Sequence, residues 1–150
     1  MPHSYNALNA HVVFSTKERT AQIDSSLEER LYPYIGGILR ELKGRLLVVN
    51  GVDDHIHLLL AIPATESMAE IVRKVKGSSS KWIHDTFPDR ASFEWQRGYA
   101  AFSVSNSQLT HVARYIERQK IHHQKVTFRD EFVRLLARHG IAPDERFLWT

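Results

Sequence analysis

Two histidines one residue apart, His55 and His57, open the run DHIHLLLAIP from Asp54 to Pro63. In a strand alternate side chains point to opposite faces, so both imidazoles share one side while Ile56, Leu58, Leu60 and Ile62 occupy the other. Such a pair is either a polar patch under a cover or half of a metal site. A second pair, Tyr115 and Gln119, lies one helical turn apart in ARYIERQKIHH. At roughly 100° per residue, Leu109, Val112, Ala113 and Ile116 form a buried stripe, and His111, Tyr115, Gln119 and His122 fall together beside it. A phenol and an amide oxygen on that edge could face the histidines, bringing a nucleophile and a third ligand to one metal ion. The adjacent His122 and His123 diverge by about 100° on a helix, which disfavours a separate zinc site with Gln119 or His111. His123 reads as a packed histidine, and His122 as a DNA contact or a neighbour that tunes Tyr115.

The remaining polar candidates have plainer readings beside their functional ones. Arg73, Lys74, Lys76 and Lys81 could track phosphates along a helix, as could Lys17 and Arg19 in a loop, yet basic runs are more often solvated faces. Trp95, Tyr99 and Phe102 could stack on unpaired bases, whereas aromatics beside a strand usually enter the core; Tyr99 and Phe102 read as core and Trp95 stays open. Asp54, with Asp53, is a turn former that could also orient the histidines from behind.

Composition narrows the chemistry. The chain of 150 residues has no cysteine, which removes disulfides, thiolate metal sites and a cysteine nucleophile. Its 43% hydrophobic and 25% charged content suits one globular domain spanning residues 1–150. The apolar run from Leu58 to Ile62 is far too short for a bilayer, and MPHSYNALNA lacks a signal-peptide pattern, so the expectation is a cytoplasmic protein with no membrane partner. A net charge of +3 with nine histidines, and a pI near 9.3, fit a polyanion partner.

The elements that must position these groups follow from periodicity. HVVF near the start reads as a strand ending at STKER. Ser25 and Glu28 have capping-box spacing before a helix that carries Leu27, Leu31, Ile35, Ile38, Leu39 and Leu42 up to Gly44. RLLVVN and HIHLLLAI form an antiparallel hairpin across Gly51 to Asp54. Ser67 and Glu70 start a second helix that runs to about Phe87. YAAFSVS is a fourth strand, Ser107 caps a third helix from Gln108 to about Gln124, and a last helix covers Phe128 to His139. The order strand, helix, strand, strand, helix, strand predicts an α+β, ferredoxin-like (RRM-like) antiparallel sheet with helices on one face, plus C-terminal helices.

HVVFSTKER, DHIHLLL, WQRGYAAFSVS and ARYIERQKIHH, in that order and spacing, resemble the single-tyrosine HUH transposases, both the small insertion-sequence transposases and those associated with repetitive extragenic palindromes. The resemblance spans His11 to the final FLW. It implies a ferredoxin-like fold, single-stranded DNA partners with hairpin ends, and Mg2+ or Mn2+ held by His55, His57 and Gln119, with Tyr115 as nucleophile. It also implies a homodimer with active sites shared in trans. Two rivals remain on the same fold: a single-stranded nucleic-acid-binding module without catalysis, and a metal-dependent nuclease without a covalent intermediate.

Overall fold

The structure, a computed structural model, describes residues 4–150. Four antiparallel strands, β1 (Asn9–Ser15), β2 (Arg45–Gly51), β3 (His55–Ala61) and β4 (Ala100–Ser103), form one sheet in the order β2-β3-β1-β4. Helix α1 (Ser25–Glu41) joins β1 to β2, and α2 (Met68–Thr86) joins β3 to β4. This is the ferredoxin-like arrangement that the element order predicts. After β4 come α3 (Leu109–Glu117), α4 (Gln119–His122) and α5 (Phe128–Arg138).

Both faces of the sheet are covered, and that decides where the histidines lie. Ala10, Val12 and Phe14 of β1 with Ile56, Leu58 and Leu60 of β3 form one core with the apolar stripes of α1 and α2. On the opposite face Val13, Ala100 and Phe102 pack against Phe128, Phe132, Leu135 and Leu136 of α5, while Leu59 and Val104 pack against Ile116 of α3. The C-terminal helices thus roof the second face. The antiparallel register sets Val13 opposite His57, Ser15 opposite His55 and His11 opposite Leu59. His11, His55 and His57 therefore point under that roof, and all three are buried.

The helix ends depart from the predicted ones in instructive ways. Asp24, rather than Ser25, caps α1 by accepting from the Leu27 amide at 2.9 Å, and Ser26 is drawn into a hydrogen bond with the same carboxylate. Ser67 caps α2 as its spacing predicts, accepting from Glu70 at 3.1 Å. Ser107 caps nothing: it lies in a 3-10 turn, Asn106–Gln108, that leads into α3. The continuous helix expected to Gln124 breaks at Arg118, whose φ of −94° and ψ of 12° leave the helical basin. Asn50 of β2 holds the broken end by donating to the carbonyls of Ile116 and Glu117 at 3.1 and 3.0 Å. A side chain from the sheet thus supplies the donors that a continuing helix would have offered.

The hairpin turn is tight. A Cβ on Gly51 would meet the His55 carbonyl oxygen at 2.1 Å, so only glycine fits this close approach of backbones. Carbonyls of Asp53 and Asp54 accept from Gln22, Ile23 and Thr16, which locks the start of β3 to the loop after β1. Among the described residues, no helix is long and apolar enough to cross a membrane.

Candidate metal and nucleophile site

Glu131 sits at the centre of the roofed face. It is 2% exposed, on α5, and its Oε1 lies 3.0 Å from His57 Nε2, 2.9 Å from His123 Nε2 and 3.5 Å from His55 Nε2. Its other oxygen accepts from the Tyr115 hydroxyl and, at 2.9 Å, from Gln119 Nε2. One carboxylate therefore gathers the phenol, the amide and the histidine pair singled out in the sequence. Gln119 Oε1 faces His55 Nε2 at 3.4 Å.

The far nitrogens of the rings are held as well. His55 Nδ1 lies 2.8 Å from Asp54 Oδ1, and His57 Nδ1 lies 2.8 Å from His11 Nε2. Phe128 stacks flat on His55 at 3.6 Å between ring centroids, fixing the imidazole plane from the α5 side. His55, His57, His123 and Glu131 each offer one ligand atom, and these atoms lie within 4.8 Å of one another. That donor set fits a single divalent ion.

Electrostatics follow from burial and from this carboxylate. Burial pulls His57 down to about 4, against the raising effect of Glu131, and pulls His11 down to about 3, assisted by His57. His55 moves upward, because hydrogen bonds to Asp54 and Glu131 outweigh its burial. Burial and then the Glu131 charge push the Tyr115 phenol well above its ordinary range, so in the free protein it is a hydrogen-bond donor rather than a phenolate. Glu131 itself stays ionised: burial opposes its charge, and the surrounding imidazoles outweigh that.

Other candidates are placed differently. His122 approaches Glu131 Oε2 at 3.3 Å without hydrogen-bond alignment. His123, read from sequence as a packed histidine, belongs to the cluster, because the break at Arg118 rotates the chain that follows it. Trp95 is corrected to core: it is 6% exposed, its indole N–H donates to Ser79 at 3.0 Å, and its ring meets Phe14 edge-on. Tyr99 moves the other way, at 38% exposed. Lys76 is corrected from a phosphate contact to a structural tie, since its ammonium donates to the carbonyls of Gln96, Arg97 and Gly98. Arg73 pairs with Glu70, Lys74 with Glu66 at 3.9 Å and Lys81 with Asp85 at 2.7 Å. These four belong to α2, on the sheet face opposite the cluster. Lys17 pairs with Glu94 at 3.3 Å, and Arg19 lies over the Trp149 ring at 4.4 Å.

Within the one chain described, the tyrosine and the histidines meet in one site. Tyr115 and His57 of one chain lie 5.9 Å apart between ring centroids, and one chain supplies every member of the set. Beside Tyr115 opens a cleft of ≈ 420 Å³ lined among others by Phe102, Ser105, Gln108, His111, Arg138 and His139.

Sequence reasoning missed Glu131. The signal was present: α5 carries Phe128, Phe132, Leu135 and Leu136 on its buried stripe, and Glu131 occupies a position of that stripe as its one charge. A carboxylate on an otherwise apolar face must find partners under the roof.

The family model "Transposase IS200 like" matches residues 4–119. The transposase for insertion sequence element IS200 of Salmonella typhimurium (strain LT2) is 30% identical over 118 residues, covering 73% of this chain and 74% of that protein. The ISDra2 transposase TnpA of Deinococcus radiodurans is 21% identical over 117 residues, covering 75% of this chain and 84% of its own. Among solved structures, a REP-associated tyrosine transposase bound to a REP hairpin superposes with a TM-score of 0.63 at 15% identity, covering 94% of this chain and 86% of that one.

Proposed function

This chain belongs to the IS200-like transposase family, and from that premise we propose that it cleaves and rejoins single-stranded DNA through a covalent bond to Tyr115. The observation that carries the reading is the meeting of the Tyr115 hydroxyl with the carboxylate that also touches His55 and His57. A binding module has no need of a half-buried phenol held against a metal-type cluster.

In the proposed reaction the Tyr115 oxygen attacks the scissile phosphorus and loses its proton. The bond from phosphorus to the 3′ oxygen breaks, leaving a 5′-phosphotyrosine and a 3′-hydroxyl that takes up a proton. Glu131 and the α3 backbone hold the phenol in place before attack, which contributes orientation. His55, His57 and Gln119 would hold a divalent ion, Mg2+ or Mn2+, which would supply charge to offset the negative charge growing on the phosphate oxygens. Asp54 and His11 keep the two imidazoles aimed from behind. A second 3′-hydroxyl reverses the attack and rejoins the strand without nucleotide fuel.

The scissile strand is proposed to enter along the cleft beside Tyr115, where Arg138 and His111 offer donors to phosphates. The relative solved with a REP hairpin supports hairpin-bearing single-stranded ends as the substrate class. The reaction is proposed to run within one chain; pairing of two chains along the free edge of β4 would bring two such sites into one particle without exchanging their parts.

The test is incubation with the single-stranded ends of its own genomic locus, followed by a denaturing gel. A protein–DNA adduct is expected from the wild type and none from Tyr115→Phe, which should still bind the strand. Cleavage without an adduct would identify a hydrolase instead, and an adduct with Tyr115→Phe would assign the nucleophile elsewhere.

A further inference from the structure

The charge of the chain is not spread evenly. Residues 109–139, which form the roof, hold seven Lys and Arg against three Asp and Glu, a charge of +4, whereas the whole chain carries +3. Everything outside the roof is therefore close to neutral, at −1. Of the three roof acids Glu131 is buried in the cluster, which leaves Glu117 and Asp130 as the exposed ones.

Pairing separates the two faces of the molecule further. On α2, Arg73, Lys74 and Lys81 each meet a nearby acid. On the roof Lys120 and Arg129 do the same, with Glu28 and Glu145. Arg114, Arg118, Lys125, Arg134 and Arg138 are all exposed, and among the described residues none of these five has an acid partner. A paired cation must give up its carboxylate to take a phosphate, whereas an unpaired one gains the whole of the counterion release. Arg134 and Arg138 stand one turn apart on α5, about 6 Å along the helix. Arg138 lines the cleft beside Tyr115 and its charge reaches the phenol, while the charge of Arg134 reaches the His122 ring. Free cations therefore run from the mouth of the cleft along α5. The same segment exposes Ile121, 62% open to solvent, and His139, whose ring stacks on Phe102 at 4.1 Å between centroids. Apolar and aromatic surface between cations suits unpaired bases; a duplex keeps its bases stacked inside.

We propose that the outer face of the roof is a track for single-stranded DNA, on which Arg114, Arg118, Lys125, Arg134 and Arg138 hold the phosphates of the strand that passes through the Tyr115 cleft. The inference rests on the reading of the protein as one that acts on single-stranded DNA, and it assigns the strand to α3, α4 and α5 instead of the basic run of α2. Lys125, Arg134 and Arg138 lie beyond residue 119, where the family match ends.

The experiment is fluorescence anisotropy of a labelled oligothymidine, which forms no hairpin, titrated with the full-length protein in chelator over a series of NaCl concentrations. Five phosphate contacts give a slope of log K against log [NaCl] of about −3.5, at ~0.7 for each contact on a single strand. Arg114→Gln, Lys125→Gln and Arg134→Gln should each move the slope by about 0.7 toward zero. Arg134→Lys, which keeps the charge, should keep the wild-type slope, and Arg73→Gln and Lys81→Gln on α2 should leave it unchanged. The three roof positions are exposed and unpartnered, so these variants keep the fold. A slope that ignores all three roof variants, or one carried by the two α2 positions, would overturn the proposal, as would tighter binding of a blunt duplex than of oligothymidine. Binding on the roof with no adduct from Tyr115 would sink the proposed reaction and leave the surface standing. An adduct formed by a protein whose binding ignores the roof would do the reverse.

Discussion

Trp95 shows how far a side chain's type can mislead about its role. In sequence it is an aromatic beside a strand, open either to stacking on bases or to the core; in the fold it fills the core between Phe14 and Phe93 and donates to Ser79. Trp95→Phe is therefore expected to leave affinity for single-stranded DNA unchanged and to lower stability by about 1 kcal/mol, the usual net worth of one hydrogen bond. Urea denaturation and fluorescence anisotropy check the two halves separately, and a weakened DNA complex with unchanged stability would restore the stacking role. The proposed reactive groups are more legible, because Tyr115, Gln119, His55 and His57 declare themselves by spacings of four and two within one helix edge and one strand face. Glu131 does not share an element with any of them. Its meaning depends on α5 folding back over the sheet, a long-range event that local periodicity does not encode.

At the level of elements, periodicity located the four strands and the helices that connect them, and erred at helix ends. Ends depend on which polar neighbour wins a backbone group, and several candidates stood close together. Asp24 displaces Ser25 as the cap of α1, and Arg90 then reaches it at 2.7 Å from the turn after α2. Asp24→Ala removes the cap and the ion pair together, and should destabilise the protein by about 1 kcal/mol, most of it from the cap because the pair is exposed. The Arg90 guanidinium and the Leu27 amide hold the Asp24 carboxyl well below the usual carboxylate range. A carboxyl lowered by folding stabilises fully above its unfolded value near 4 and loses that contribution as pH falls toward the folded value. The destabilisation measured for Asp24→Ala by urea midpoints should thus be full at pH 7 and shrink at acid pH. A difference that grows on acidification would contradict this account. The break at Arg118 was beyond reach of the helical wheel, since its stabilising partner, Asn50, comes from β2.

For the whole molecule the decisive question is whether the reaction set can be exchanged between chains. The resemblance implies trans sites, and within one chain the roof that covers the histidine face sets what an exchange of its helices would cost. Helices α3 and α5 bury Ile116, Phe128, Phe132, Leu135 and Leu136 against the sheet. At about 1.5–3 kcal/mol for each buried side chain, lifting this segment exposes surface worth on the order of 10 kcal/mol, before the charge of Glu131 is uncovered. Departure of Tyr115 would also break the hydrogen bond from its hydroxyl to Glu131 of α5. An exchange would have to move α3, α4 and α5 together and rebuild the same contacts on a second chain. Such a state is open only to molecules that unfold this face, and so forms slowly. Mixing Tyr115→Phe with His57→Ala therefore should not restore adduct formation under native conditions, even at concentrations where light scattering records dimers. Tyr115→Phe retains the histidines, His57→Ala retains the tyrosine, and only a crossed site would combine them. Recovery of adduct on simple mixing would place Tyr115 of one chain over His57 of another, and would mean that the roof is docked more weakly than its buried side chains indicate.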